Sequence, residues 1–329
     1  MSSSTHPALL SLRRQHHSLH PPFLLHLPSP ADLVRTDSQT YLVDHILNDP
    51  VIRDVVPERS YRRSFWRRIV KSLEIGEYEV DARIYEALAD LMISSPSSGP
   101  SDMPKPSYRT FLYDMPEWTW RCGQGERRVT LLEEQVAIQA ATTGLRTWTA
   151  SLRLAHHILR DPSILSRPST CPRDTHVLPP VVELGAGTGF LSILLSQLGA
   201  DVISSDLDAD PDENDRLKPL ARLSSNLELN ELENPPRVVP LDWTDVLRPV
   251  VDRSQGWQDI TRGKPRTIVA ADVIYDPDLI TPLVKTISAL FEGSPDGVAI
   301  IAATVRNPMT IKMFETSCDA HADLLGLSA

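Results

Sequence analysis

The chain is poor in cysteine and has no long apolar run. Its 329 residues include three cysteines, Cys122, Cys171 and Cys318, and none of them forms a C-x-x-C spacing. This scatter excludes a disulfide framework and a cysteine-based zinc site, so we expect a reducing compartment and no bound metal. No stretch approaches the ~20 apolar residues that a membrane span needs, so we expect no membrane partner.

Positive charge is also scarce, above all in the second half. The net charge is −10, and residues 121–329 hold 28 acidic side chains against 20 lysines and arginines. This balance argues against a broad phosphate-binding surface, so DNA and RNA are poor candidates for the substrate. A cationic protein substrate fits the charge better. The length and a hydrophobic content of 41% allow a full α/β core and a smaller second domain.

The first 31 residues contain no acid, but they include five prolines and five histidines. The composition is faintly like that of a transit peptide, although the prolines interrupt the amphipathic helix that such a peptide needs. We predict that residues 1–31 are a disordered lead-in. Residues 32–128 are predicted to be mainly helical, with a loop rich in proline and serine at 94–106.

One predicted helix in this region is strongly basic. Tyr61, Phe65, Ile69 and Leu73 recur every four residues and make one apolar stripe. The other faces carry six cations: Arg59, Arg62, Arg63, Arg67, Arg68 and Lys71. Two interpretations stay open, a docking surface for an acidic partner or ribosomal RNA and the solvated face of a bundle helix.

The most informative stretch is a glycine turn between a predicted strand, 181–184, and a predicted helix, 190–199. The dinucleotide fingerprint G-x-G-x-x-G would need its third glycine at position 190, which is Phe190. The E-x-G-x-G-x-G form found here resembles motif I of the class I S-adenosylmethionine-dependent methyltransferases. Glycines let a ligand approach the backbone, and the amides of the helix N-terminus face it. The alternative is a turn without function. The predicted cofactor contacts are Glu183, Gly185, Ala186, Gly187 and Gly189.

Further strands are predicted at 201–206, 238–241, 267–272 and 298–305, with helices between them. Near-continuous apolar strands that alternate with helices indicate a Rossmann-like α/β fold, a mostly parallel sheet with helices on both faces. In such sheets the ligand binds beyond the carboxyl ends of the strands. The predicted site residues at these ends are Asp206, which would bind ribose hydroxyls, Asp242, Trp243, Asp272 and Tyr275. Trp148 and Trp243 could bracket the adenine or the methionine arm, or could be core residues.

A methyl transfer from a sulfonium is an in-line displacement in which the protein chiefly supplies alignment and a dry pocket. A lysine nucleophile must first lose its proton, and desolvation lowers its pKa. We predict that Asp272 and Tyr275 are the catalytic residues that orient the amine. The alternative is that Asp272 caps the following turn and Tyr275 packs against a helix. No general base is assigned.

Five further segments carry a more specific resemblance: Val129–Glu134, Thr142–Trp148, Leu241–Trp243, Ala270–Tyr275 and Thr304–Pro308. With the glycine turn, they resemble the eukaryotic elongation factor 2 lysine methyltransferase family, a group of class I seven-β-strand protein lysine methyltransferases. The resemblance covers about residues 40–315. It implies a methyltransferase domain over 129–329 and trimethylation of a lysine of elongation factor 2 in the cytoplasm. It also implies a monomer that uses S-adenosyl-L-methionine as its cofactor. The implied cofactor contacts are Trp148, Gly185, Ala186, Gly187, Asp206, Trp243 and Ala271.

The chain departs from this family after the fifth strand. Seven-strand domains have two more strands there, whereas only a short stretch follows residues 309–314. We therefore expect the C-terminal strands to be truncated and the fifth strand to be an exposed edge, with weak cofactor binding or poor folding as a result. A small-molecule or RNA methyltransferase on the same fold and a non-catalytic binding module are the competing interpretations.

Overall fold

The structure is a computed structural model in which two compact units are distinguished. It describes residues 7–76, 79–93, 105–122, 125–135, 144–165, 178–208, 218–262, 267–292, 294 and 296–325. The first unit comprises Met1–Tyr113 and Arg127–Gln135, and the second comprises Asp114–Glu126 and Val136–Ala329. None of the helices in these described ranges combines the length and apolar character that a bilayer crossing requires.

The first unit is a helical cluster, as predicted for residues 32–93. Its helices are α1 (Pro7–His17), α2 (Pro30–Leu33), α3 (Thr36–Leu42), α4 (Arg59–Leu73) and α5 (Ala82–Met92). A π-helical segment at Val43–Leu47 and 3-10 turns at Pro22–Leu24, Pro50–Ile52 and Glu74–Gly76 connect them. Their apolar faces share one core that includes Leu12, Leu33, Phe65, Trp66 and Ile84.

The predicted disordered lead-in is wrong from Pro7 onwards. Helix α1 packs Leu9 and Leu12 into the core of the first unit, and residues 1–6 lie outside the described residues. The prolines flank this helix and do not interrupt it, because Pro7 is its first residue and Pro21 follows its end. A proline in the first turn of a helix is tolerated, since the amide it lacks would have no intrahelical partner.

Helix α4 is amphipathic, as its sequence predicts. The carboxylate of Glu58 starts it by accepting hydrogen bonds from the amides of Ser60 and Tyr61. Phe65, Ile69 and Leu73 are fully buried. Five of the six cations are exposed, Arg59, Arg63, Arg67, Arg68 and Lys71. This arrangement is compatible with both interpretations of the basic face.

A β-hairpin replaces part of the predicted helical structure between residues 105 and 135. Strands β1 (Ser107–Asp114) and β2 (Glu126–Glu133) form a two-stranded sheet, and a 3-10 segment at Glu117–Cys122 lies between them. The hydroxyls of Thr110 and Thr130 are 3.1 Å apart across the hairpin. The helix-rich prediction from Val129 is therefore wrong for β2. Residues 94–104 of the predicted loop and residues 136–143 lie outside the described residues.

The second unit contains the predicted parallel sheet. Its strands are β3 (Val181–Leu184), β4 (Val202–Asp206), β5 (Arg237–Pro240), β6 (Thr267–Ala271) and β7 (Val298–Ala302), in the order β5-β4-β3-β6-β7. Every neighbouring pair is parallel. All four residues of β3 are buried. Because successive side chains of a strand point to opposite faces, both faces of the sheet are covered at its centre. The predicted α/β class is confirmed.

The helices of this unit are α6 (Thr149–Arg160), α7 (Phe190–Gln197), α8 (Pro219–Leu229), α9 (Gln255–Arg262), α10 (Pro277–Leu290) and α11 (Pro308–Leu325). There are 3-10 turns at Pro162–Leu165, Trp243–Leu247 and Val250–Asp252. Within the described part of the chain, β7 pairs only with β6, so it is the edge strand that the sequence predicted.

Candidate active site

A cavity of about 490 Å³ lies at the carboxyl ends of the central strands of the second unit. Six chain segments line it: the residues around the start of α6, the glycine turn after β3, the residues at and after the ends of β4, β5 and β6, and Pro219 at the start of α8. Parallel strands place these ends at one edge of the sheet, which is where ligands bind in open α/β folds. The predicted site residues that line the cavity are Trp148, Gly185, Ala186, Gly187, Asp206, Asp242, Trp243, Ala271, Asp272 and Tyr275.

The glycine turn forms one wall because a side chain would not fit at two of its positions. Gly185 and Gly187 have φ values of +70° and +55°, which L-residues with side chains rarely adopt. A Cβ atom on Gly185 would lie 2.9 Å from Cγ1 of Val273. A Cβ atom on Gly187 would lie 3.3 Å from the carbonyl oxygen of Gly144. The bare backbone therefore keeps this wall of the cavity open to a ligand.

Asp206, at the end of β4, holds the glycine turn through a hydrogen bond. Its Oδ2 accepts a hydrogen bond of 2.6 Å from the amide of Gly187, and its Oδ1 accepts one of 2.7 Å from Leu207. Burial raises the pKa of Asp206, and the two amide donors counteract part of that shift. A carboxylate has about four acceptor positions, so two remain for hydroxyl donors from the cavity.

Glu183 and Gly189 are predicted cofactor contacts, but they lie behind the turn and do not line the cavity. Glu183 is buried, and its carboxylate accepts a hydrogen bond from the hydroxyl of Ser192, which in turn accepts one from Ser204. Burial raises the pKa of Glu183 to about 8. Gly189 precedes α7 at φ +86°, where a Cβ atom would lie 2.6 Å from Leu223. Both residues support the turn from beneath.

Two tryptophans from different chain segments line the cavity. Trp148 immediately precedes α6, and the neighbouring Thr147 is tied to the glycine turn because its hydroxyl lies 2.6 Å from that of Thr188. Trp243 follows β5, and its ring lies 3.6 Å from the position of a Cβ atom on Gly185. Both rings are half-buried and line the cavity, so neither is a plain core residue.

The neighbouring Asp242 also lines the cavity, but part of its carboxylate is occupied. Its Oδ1 accepts hydrogen bonds from the amide and the hydroxyl of Thr244, at 2.8 and 2.7 Å. These bonds start the 3-10 turn that carries Trp243. Asp242 therefore fixes the orientation of the segment that supports this tryptophan.

Asp272 and Tyr275 follow β6 and differ in their surroundings. Asp272 is 7% exposed and has φ +59°, a conformation that costs a non-glycine residue about 1 kcal/mol. Its carboxylate accepts hydrogen bonds from the amide of Thr304 at 2.8 Å and from Arg306 at 2.9 Å. Tyr275 is 48% exposed at the cavity. The carboxylate of Asp272 bonds to Thr304 and Arg306, and the cap of the next helix is Asp276, so these contacts do not support the alternative that Asp272 caps the following turn.

Comparison with known proteins assigns the chain to a family. Residues 128–317, more than half of the chain, match the lysine methyltransferase family. The chain belongs to this family. It is an S-adenosylmethionine-dependent protein-lysine methyltransferase, and the predicted enzyme class and cofactor are confirmed.

Several relatives are similar over most of their length. Protein-lysine N-methyltransferase EFM3 of Chaetomium thermophilum is 29% identical over 297 residues, which cover 87% of this chain and 80% of that protein. Human protein-lysine N-methyltransferase EEF2KMT is 28% identical, with 86% and 78% covered. The human putative protein N-methyltransferase FAM86B2 is 27% identical, with the same coverage.

The likeness to solved structures is lower. Magnesium protoporphyrin IX methyltransferase from Synechocystis PCC 6803 with bound SAM has a TM-score of 0.31 and 18% identity, covering 51% of this chain and 66% of that chain.

Proposed function

We propose that this protein transfers methyl groups from S-adenosylmethionine to a lysine of elongation factor 2 in the cytoplasm. The choice of elongation factor 2 follows the family resemblance of the sequence, and it is supported by the extent of the similarity to human EEF2KMT, which equals that to FAM86B2. The family match begins at residue 128, whereas the similarity to EEF2KMT covers 86% of the chain. It therefore includes much of the helical first unit, which a methyltransferase domain alone does not explain.

The charges around the cavity support a lysine substrate. Five aspartates line the cavity, Asp206, Asp208, Asp242, Asp272 and Asp276, against one arginine in the lining, Arg146, and one cation outside it, Arg306, which pairs with Asp272. Such a cavity attracts a cationic side chain and repels phosphate groups. The competing RNA methyltransferase interpretation is disfavoured for this reason.

The residues of the cavity fit the cofactor. Asp206 would accept hydrogen bonds from the ribose hydroxyls, and the bare turn at Gly185 and Gly187 would let the methionine arm approach the backbone. Trp148 and Trp243 would hold the adenine or the methionine arm between them. The bound cofactor supplies an electrophilic methyl group on its sulfonium, so the protein's own task is alignment and exclusion of water.

The target amine needs a different set of groups. Tyr275 and Asp272 follow β6 at the cavity, where the hydroxyl of Tyr275 would orient the amine of the incoming lysine and the fixed negative charge of Asp272 would attract it. Desolvation of the amine in the cavity lowers its pKa, whereas the aspartates of the lining raise it, so the neutral, nucleophilic form depends on the exclusion of water. The described cavity holds no carboxylate that we assign as a dedicated base.

The test is methyl transfer from radiolabelled S-adenosylmethionine to purified elongation factor 2. The parent chain is compared with the Asp272→Ala and Gly187→Arg variants, and cofactor binding is measured in parallel. Labelling by the parent and its loss in both variants supports the proposal. Cofactor binding without labelling would overturn the substrate, and equal labelling by all three proteins would overturn the site.

A further inference from the structure

We propose that Arg306 is a positioning residue for methyl transfer, which clasps Asp272 and Trp148 and so fixes two walls of the cavity relative to each other. The proposal rests on the proposed use of the cavity. Arg306 does not line the cavity itself, so it acts through two residues that do.

The first half of the clasp is a forked ion pair. Nη2 of Arg306 donates to Oδ2 of Asp272 at 2.9 Å, and Nη1 donates to Oδ1 at 3.3 Å. The planar guanidinium matches a carboxylate in this bidentate geometry, which a lysine ammonium does not reproduce. Two charge-assisted bonds therefore define the direction in which the Asp272 side chain points.

Thr304 completes the set of donors on the same carboxylate. Its amide donates to Oδ1 of Asp272 at 2.8 Å, and its hydroxyl donates to Oδ2 at 3.2 Å. Four donors match the roughly four acceptor positions of a carboxylate. Asp272 is thus an anchor for this side of the cavity and not a free proton acceptor. Any influence on the amine is electrostatic and depends on its fixed position.

The backbone of Asp272 is also held, in a conformation that is uncommon for a residue with a side chain. Its φ of +59° is a conformation that persists only where the surroundings enforce it. The amide of Asp272 donates to the carbonyl of Ala302, the last residue of β7, at 2.7 Å, so the main chain is tied to β7 and the side chain to the segment after it. Strand β7 and the segment after it therefore hold Asp272 by both its main chain and its side chain.

The second half of the clasp is an aromatic contact. Cζ of Arg306 lies 5.0 Å from the centre of the Trp148 ring, within the range of a cation–π interaction. Trp148 precedes α6, Asp272 follows β6, and Arg306 lies between β7 and α11. One guanidinium thus joins three chain segments, two of which line the cavity.

A second ion pair in the same unit gives a matched control. Nη1 of Arg248 lies 3.1 Å from Oδ1 of Asp245, and the side-chain exposures are 57% and 3%. The corresponding exposures of Arg306 and Asp272 are 45% and 3%. Neither Arg248 nor Asp245 lines the cavity. Removal of either arginine leaves a buried aspartate without its cation, but only Arg306 touches residues of the site.

The experiment compares Arg306→Ala, Arg306→Lys and Arg248→Ala in the full chain. Unfolding by urea, cofactor affinity, and kcat and KM for elongation factor 2 are measured for each folded variant. We expect similar losses of stability in the two alanine variants. Only Arg306→Ala should lower kcat, by about tenfold or more, with a smaller change in KM. Arg306→Lys, which keeps the charge without the fork, should fall between Arg306→Ala and the parent.

Added guanidinium ion, at concentrations well below denaturing, separates positioning from folding. It should restore part of the kcat of Arg306→Ala and leave Arg248→Ala unchanged. Equal losses of kcat in the two alanine variants, or rescue of neither, would overturn the proposal. If Arg306→Ala does not fold, Arg306→Lys takes its place, and a parental kcat in that variant would overturn the proposal.

Failure of the substrate proposal is distinguishable from failure of the clasp. If the parent binds the cofactor but does not label elongation factor 2, the substrate proposal fails. The clasp is then judged by cofactor affinity, and an unchanged affinity in Arg306→Ala would overturn it.

Discussion

The hydroxyls of Thr147 and Thr188 lie 2.6 Å apart in the interior of the second unit. Thr147 precedes the cavity tryptophan Trp148, and Thr188 belongs to the glycine turn. The contact therefore ties two segments of the cavity wall, 41 residues apart in sequence, through one buried hydrogen bond. The carbonyl of Thr188 also accepts a hydrogen bond of 2.9 Å from the side chain of Asn226 on α8.

Replacement of either threonine by valine should destabilise the second unit. Each single variant keeps the shape but leaves one buried hydroxyl without its partner, at a cost of about 1–3 kcal/mol. The Thr147→Val/Thr188→Val double variant removes both groups and should cost clearly less than the sum of the single changes. Urea unfolding in a double-mutant cycle measures this coupling. Additive losses would show that the two hydroxyls do not interact.

Gly185→Ala should weaken cofactor binding far more than its backbone strain alone explains. The added methyl would meet Val273 at 2.9 Å and would stand beside the ring of Trp243. Gly125→Ala is the matched control, because Gly125 also has positive φ, +115°, but has nothing within 4 Å of a Cβ atom. Titration with S-adenosylhomocysteine should give at least about a tenfold loss of affinity for Gly185→Ala, or about 1.4 kcal/mol. Equal affinities in the two variants would contradict the role of the turn.

The buried Glu183 should make the stability of the second unit fall as pH rises. Its pKa is raised from 4.5 to about 8, so the folded state holds a proton there that the unfolded state has lost. This contribution is fully present below pH 4.5 and is lost progressively up to about pH 8, by a few kcal/mol. Urea unfolding from about pH 5 to about pH 8 should show a flatter profile for Glu183→Gln than for the parent. Parallel profiles would mean that Glu183 is ionised in the folded state.

His16 in the first unit should make stability fall as pH decreases, which is the opposite of the effect of Glu183. It is buried, its Nδ1 lies 3.0 Å from Nδ1 of His17, and burial holds its pKa well below 6.5. The folded state therefore keeps His16 neutral, and stability is lost as pH falls below 6.5, where the unfolded chain binds a proton. Hydrogen exchange of α1 amides at about pH 7 and about pH 5 should show this loss in the parent and a smaller one in His16→Gln. The exposed His45 is the control, since His45→Gln should behave like the parent.

The parallel sheet is predictable because its signals are local. Strands β3, β6 and β7 are short, largely apolar runs, and the glycine turn and the acid at 206 mark the ends of β3 and β4 directly in the sequence. Helix α1 escapes prediction because its proline-rich surroundings are typical of disorder, although Pro7 and Pro21 only flank the helical residues. The hairpin of β1 and β2 depends on pairing between strands whose polar and apolar residues carry no strong alternation, so its sequence signal is weak.

Some residues of the site are likewise predictable from the sequence, and others are not. Residues at strand ends are correctly placed at the cavity, because chain topology alone brings those ends together. Glu183 belongs to the motif and is therefore predicted to contact the cofactor, but in a strand with period two its side chain faces α7 and the hydroxyl of Ser192. The pairing of Asp272 with Arg306 spans 34 residues. No local pattern reports such a contact, which forms only when β6 and β7 pair side by side.

The central claim is that the cavity beside Asp206 and the glycine turn binds S-adenosylmethionine. Calorimetric titration of the full chain with S-adenosylmethionine, alongside Gly187→Arg and the control Gly125→Arg, tests it most directly. We predict one binding site in the parent and in Gly125→Arg, and no binding to a folded Gly187→Arg chain, because the new side chain fills the cavity. Unchanged binding in Gly187→Arg would contradict the claim.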